Sequence, residues 1–141
     1  MSKILVAVDG SDASCLAAQW AAKLANNCGG SVTLIYVFDM PAAEAMALSH
    51  LSGDEVKALI NKKAAPEFDK ALQACGENRA DIQTSATIGH PADEILSYAK
   101  SGGFDHIVMG RRGLSQLGEL VLGSISEKVI RRAHCPVTVL H

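Results

Sequence analysis

At 141 residues the chain has the length of one domain, 1–141, with room for a substantial core. With 48% apolar residues, 20% charged residues and a formal net charge of -2, it lacks the basic excess that nucleic acid would demand of a partner. The cysteines Cys15, Cys28, Cys75 and Cys135 have no CxxC or Cys/His spacing, which argues against zinc or a redox dithiol and predicts reduced, mostly buried thiols.

The opening MSKILVAVDG lacks the layout of a cleavable signal, and no apolar run is long enough to span a bilayer, so the expectation is a cytoplasmic protein with no membrane partner. Lys3 to Val8 is apolar and β-branched without polar alternation, the pattern of a central strand covered on both faces of a parallel sheet. After the turn at Asp9, Gly10 and Ser11, apolar residues at Ala13, Leu16, Ala17, Trp20, Ala21, Leu24 and Cys28 predict one buried helix stripe, stopped by Gly29 and Gly30. Ser31 to Val37 reads as a second buried strand. Phe38 to Leu51 is rich in Ala and Met and is compatible with a loop, a short helix or a lid.

Ser52 and Glu55 have capping-box spacing at the start of a long helical stripe that includes Pro66, where a kink is expected. Asp81 to Ile88 alternates in the manner of a less buried strand, placed at a sheet edge. His90-Pro91 opens a helix with Pro91 at its first position, and Gly102-Gly103 ends it. Phe104 to Met109 and Pro136 to Leu140 supply the last two strands, with a helix from about Ser124 to Ala133 between them. This alternation predicts an α/β fold, a parallel sheet with helices on both faces. In such sheets ligands bind beyond the carboxyl ends of the strands, here at Asp9, Val37 and Gly110.

The segment MGRRGLSQLGELVLGSISEKV is neither a Walker A motif nor the dinucleotide GxGxxG. Gly110 and Gly113 enclose Arg111 and Arg112, nine residues follow, and Gly123-Ser124 begins a helix, a GxxG-x9-GS pattern. A glycine past a strand end can take positive φ and admit a ligand to the backbone, and a helix start offers unpaired amides to an anion. Leu114, Leu117, Leu120 and Val121 have the spacing to pack the spacer onto the body. Equally, Gly110 can simply end a strand, Gly113 make a turn, and Ser124 with Glu127 form an ordinary capping box.

VAVDGS at 6–11, GHPADEI at 89–95 and the block from Met109 to Leu140 resemble the universal stress protein family, with the GxxG-x9-G[ST] pattern of its ATP-binding branch. The resemblance implies a five-stranded, Rossmann-like sheet of order 3-2-1-4-5 and a homodimer through the C-terminal strand, residues 136–140. It also implies ATP bound at the ends of the first and fourth strands, with Mg2+ or Mn2+ held mainly by the phosphates. Asp9 would hold the ribose or lie against the nucleoside, or serve only to cap the following helix or stabilise the DGS turn. The Val37 backbone would read the adenine edge, and Gly110, Gly113, Gly123, Ser124, Ile125 and Ser126 would surround the phosphates. Arg111-Arg112 departs from the small or polar residue that the family commonly has first, and at most one of these arginines is expected to reach the anion.

The histidines show no ligand spacing or triad partners, and no catalytic base or arginine finger is evident. The expected function is an ATP-binding stress-response protein that senses or stores nucleotide. The alternatives are a dimeric interaction module with a vestigial pocket, and a slow ATPase or autokinase.

Overall fold

The computed structural model describes residues 2–78, 81–111 and 122–141. Strands β1 (Lys3–Ala7), β2 (Ser31–Phe38), β3 (Ile82–Ile88), β4 (His106–Gly110) and β5 (Val137–Leu140) form one parallel sheet in the order β3-β2-β1-β4-β5. Helices α1 (Asp12–Cys28) and α3 (Gly53–Cys75) cover one face, and α4 (Pro91–Ser101) and α5 (Ser124–Arg132) the other. β1 lies at the centre, paired with β2 and β4. Its alternate residues feed two cores: Ile4 and Val6 join Leu34 and Val108 under α1 and α3, and Leu5 joins Ile35, Ile107 and Val129 under α4 and α5. Burial on both faces is the reason the strand carries no polar alternation.

The caps follow local chemistry. The Ser11 hydroxyl accepts the Ser14 amide at 3.1 Å and the Ser52 hydroxyl the Glu55 amide at 3.1 Å, while Gly29 closes α1 at φ 69°. Pro91 occupies the first turn of α4 behind His90, and α3 runs through Pro66. The segment left open between the second strand and the long helix contains a short helix, α2 (Ala42–Ala47), with no buried residue and Met46 largely exposed.

The helix stripe expected after the first turn is displaced. The face of α1 that packs on the sheet is Ser14, Ala17, Ala18, Ala21, Ala22 and Ala25, whereas Leu16, Trp20 and Cys28 are exposed. Small residues seat α1 close to the sheet and leave the large ones at its flank. The thiols also differ from expectation: Cys75 alone is buried, Cys15 and Cys135 are half-buried, and Cys28 is exposed.

At the β5 side, His106 Nε2 lies 2.7 Å from Thr138 Oγ1, and the Trp20 ring packs edge-on to the imidazole with centroids 6.0 Å apart. Burial holds the His106 pKa below its usual 6.5. The unfolded chain then takes up a proton that the folded ring resists once the pH drops below 6.5. This contribution to stability is complete above that pH and declines as the pH falls towards the lowered folded pKa. The urea midpoint should therefore fall between about pH 7 and pH 5, and His106→Gln should flatten that slope. An equal slope in the variant would assign the dependence to other groups.

Candidate functional site

A cleft of about 550 Å³, counting its open mouth, lies at the carboxyl ends of β1, β2 and β4. It sits where the chain order turns from β1 outward to β4, the switch point of the sheet. Ile35, Val37, Pro91, Ile95, Met109 and Ile125 give it apolar walls, and Asp9, Ser11, Ser14 and Ser126 supply its polar side chains. Its mix of apolar walls with a few polar groups suits a small organic ligand.

The wall at Asp9 is a closed set of local bonds. Asp9 Oδ1 accepts the Ser11 amide at 3.0 Å and the Ser11 hydroxyl at 2.5 Å, and the Asp9 amide donates to Ser14 Oγ at 3.3 Å. Gly10 turns the chain at φ 85°, a backbone conformation that other residues rarely adopt. Of the local roles, capping falls to Ser11 and not to Asp9, whose Oδ1 instead stabilises the turn; Oδ2 has no hydrogen-bond partner among the described residues.

On β2 the ladder itself prepares an edge. Val8 N donates to Ile35 O at 3.0 Å, and Gly89 N donates to Phe38 O at 2.9 Å. In a parallel strand successive residues direct their backbone groups to alternate sides. Ile35 and Val37 therefore face the β1 side, while Tyr36 and Phe38 face β3. Since β1 ends at Ala7, the amide and carbonyl of Val37 point past it toward the cleft that Val37 lines.

The end of β4 is joined to α5 by three contacts. The Ser126 hydroxyl is directed to the carbonyls of Gly110 at 2.9 Å and Arg111 at 3.0 Å, and the Gly123 amide donates to Arg111 O at 2.9 Å. The two ends of the glycine loop are thereby brought together, as the spacing suggested. Gly110, expected to lie past the strand with positive φ available to it, is instead its last buried residue, opposite Leu140, and has no positive φ. The alternative reading of Ser124 with Glu127 as a capping box does not hold. Gly123 is the N-cap of α5, no side chain caps the helix, and Glu127 pairs with Arg131 at 2.7 Å instead.

As a result the amides of Ser124, Ile125 and Ser126 meet no acceptor among the described residues, and the last two of these residues line the cleft. Arg111 Nε is buried without a partner. Arg112, Gly113 and the leucine-containing spacer lie outside the described residues.

Asp9, Val37, Gly110, Ile125 and Ser126 thus share one cleft. Sequence reasoning missed Ile35, Pro91, Ile95 and Met109 of its apolar walls. Ile35 was accessible through the two-residue period it shares with Val37, and Pro91 with Ile95 through the i, i+4 spacing at the start of α4.

A parallel α/β protein with an open cleft at its switch point and an uncapped helix start at the rim belongs to the Rossmann-like class. The universal stress protein family model matches residues 1–141, and the chain belongs to that family. It is 34% identical to the universal stress protein YxiE of Bacillus subtilis, over 99% of this chain and 98% of that protein. Among solved structures, it resembles hypothetical protein MJ0577 of Methanocaldococcus jannaschii at 26% identity and a TM-score of 0.78, covering 99% of this chain and 94% of that one. It also resembles a universal stress protein solved in complex with cAMP at 26% identity and a TM-score of 0.67, covering 99% and 96% of the two chains.

Proposed function

We propose that the cleft binds ATP and that the protein is a cytoplasmic stress-response factor that senses or stores the nucleotide. The observation that carries this reading is the uncapped start of α5, with three consecutive open amides, two of them on residues that line the cleft. Open amides and the positive end of the helix dipole attract phosphate.

The rest of the cleft is complementary to the rest of a nucleotide. The start of α1 is capped by Ser11 and adjoins a carboxylate, so it repels phosphate but accepts ribose hydroxyls at Asp9 Oδ2. The apolar walls suit a base, and the Val37 donor and acceptor match the N1 and N6 edge of adenine. The related protein solved with cAMP supports an adenine ligand. On this reading Ser124, Ile125 and Ser126 hold phosphate by their amides, while Gly110 and Gly123 keep the approach clear. Arg111 is the arginine adjoining the phosphate end, and Arg112 and Gly113 complete the loop. No group of three His, Cys, Asp or Glu side chains suited to a metal occurs among the described residues, so Mg2+ or Mn2+ would be held by the phosphates and water. Turnover is slow on this reading because Asp9, the one carboxylate among the described residues lining the cleft, lies at the ribose end, and Glu127 does not line it.

Calorimetry with ATP, AMP and adenosine tests the assignment. Affinity should fall in that order, most steeply at adenosine, which has no phosphate for α5. Equal affinity for ATP and adenosine would remove the phosphate from α5, and no binding of any of them would end the nucleotide reading.

The same proposal includes a homodimer through residues 136–140. Ile107 N donates to Pro136 O and Arg111 N to Leu140 O, so the even-numbered residues of β5 face β4 and the backbones of Val137 and Val139 face outward. Trp20 and Ile130 are large exposed apolar side chains on α1 and α5. Trp20 packs beside the β4–β5 pair, and Ile130 lies about a third of a helical turn round from core-facing Val129, away from Lys128 and Arg132, which reach Asp93 of α4. An unpaired edge beside apolar side chains favours antiparallel pairing with a second copy. Val139→Pro removes an outward amide and spares the ladder to β4. Light scattering should show a dimer for the native chain and a folded monomer for the variant; a native monomer at micromolar concentration, or a dimeric variant, would move the interface elsewhere.

A further inference from the structure

We propose that Lys70 of α3 is a positioning residue for Asp9, setting how strongly the cleft selects a ligand that carries ribose hydroxyls. The inference rests on the nucleotide reading of the cleft and assigns a role to a residue outside its lining.

Lys70 Nζ donates to Gly10 O at 3.2 Å. The peptide that joins Gly10 to Ser11 carries that carbonyl on one side and the Ser11 amide on the other, and the Ser11 amide donates to Asp9 Oδ1 at 3.0 Å. In a planar trans peptide these two groups point in opposite directions. Holding the carbonyl toward α3 therefore directs the amide toward Asp9, and with Oδ1 engaged, Oδ2 is left for the ligand. The bonds among Asp9, Ser11 and Ser14 fix the internal shape of the turn, but they do not fix its position relative to the sheet. Contacts from α3 supply that reference.

Glu67, one helical turn before Lys70, is the second such contact. Its carboxylate lies against Gly10 in the space a side chain would occupy. Glu67 and Asp9 carry like charge, and Lys70 is the cation that offsets them. The neighbouring Cys15 thiol responds to all of these groups: burial raises its pKa most, Lys70 lowers it, and Asp12, Asp9 and Glu67 raise it. Without Lys70, the Gly10 carbonyl loses its contact with α3, and Asp9 and Glu67 lose a nearby counter-charge.

Calorimetry with ATP and 2′,3′-dideoxy-ATP on the native chain, Lys70→Met and Lys70→Arg separates positioning from a general loss of positive charge. Lys70 is exposed, and thermal unfolding verifies that both variants remain folded. The native chain should prefer ATP, Lys70→Met should reduce that preference by about fivefold, the value of one hydrogen bond, and Lys70→Arg should restore most of it. In an Asp9→Ala background the same Lys70→Met change should leave the preference unaltered. A preference unchanged in Lys70→Met, whether both affinities fall together or neither falls, would overturn the role of Lys70, as would a native chain indifferent to the hydroxyls. Failure of the native chain to bind ATP at all would overturn the nucleotide reading, and this inference with it.

Discussion

Valine in place of Gly123 is expected to abolish ATP binding and leave the fold intact. Gly123 has φ -63° and ψ 153°, extended backbone that any residue adopts, so conformation does not require glycine there. Its amide bond to Arg111 O survives the substitution. What changes is the space in front of the α5 amides, where two methyl groups would stand between the helix start and a phosphate. Losing two charge-assisted hydrogen bonds amounts to about 3 kcal/mol or more, on the order of a hundredfold in affinity. Glycine already lacks a side-chain cap, so the cost to the fold should be no more than about 1 kcal/mol. Calorimetry and urea unfolding on one preparation measure both, and a folded variant with native affinity would remove the phosphate from this end of the cleft.

The other glycine of the site should behave in the opposite way. A Cβ on Gly110 would lie 2.8 Å from Ala13 Cβ and 3.2 Å from the Ser14 backbone nitrogen. Those atoms belong to the first turn of α1, which cannot retreat without losing its fit to β1 and β4. Gly110→Ala should therefore destabilise the protein by roughly 2 to 3 kcal/mol and lower Tm by about 10 °C, with a larger loss for valine. Calorimetric unfolding tests this directly. An alanine variant with native Tm would mean that α1 shifts freely over β4. The two glycines of one motif thus serve different needs, one the packing of a helix against a strand and the other access to a helix end.

That distinction was not legible in the sequence, where both positions read as loop glycines near a ligand. The parallel α/β alternation and the central place of β1 were legible, because Ile4 to Val6 is a continuous apolar run and every crossover has room for a helix; the strand order came with the family resemblance. Pro91, Ser52 and Gly29 marked their helix ends through local chemistry alone. The face of α1 was misread because alanines carry little periodic signal, and Leu16 and Trp20 dominated the pattern although they lie at the flank. The start of α5 at Ser124 was legible, but its cap was not: Ser124 and Glu127 have capping-box spacing, whereas Gly123 stands at the N-cap and no side chain caps the helix. The contact of Lys70 with Gly10 spans 60 residues and leaves no local trace.

The most direct test of the central claim is the backbone amide spectrum of the intact protein during titration with ATP. The amides of Val37, Ser124, Ile125 and Ser126 should shift together and saturably, with adenosine reproducing the Val37 shift and leaving the α5 amides nearly unmoved. Saturable shifts that leave α5 unmoved at full occupancy with ATP, or no shifts at all, would contradict the account.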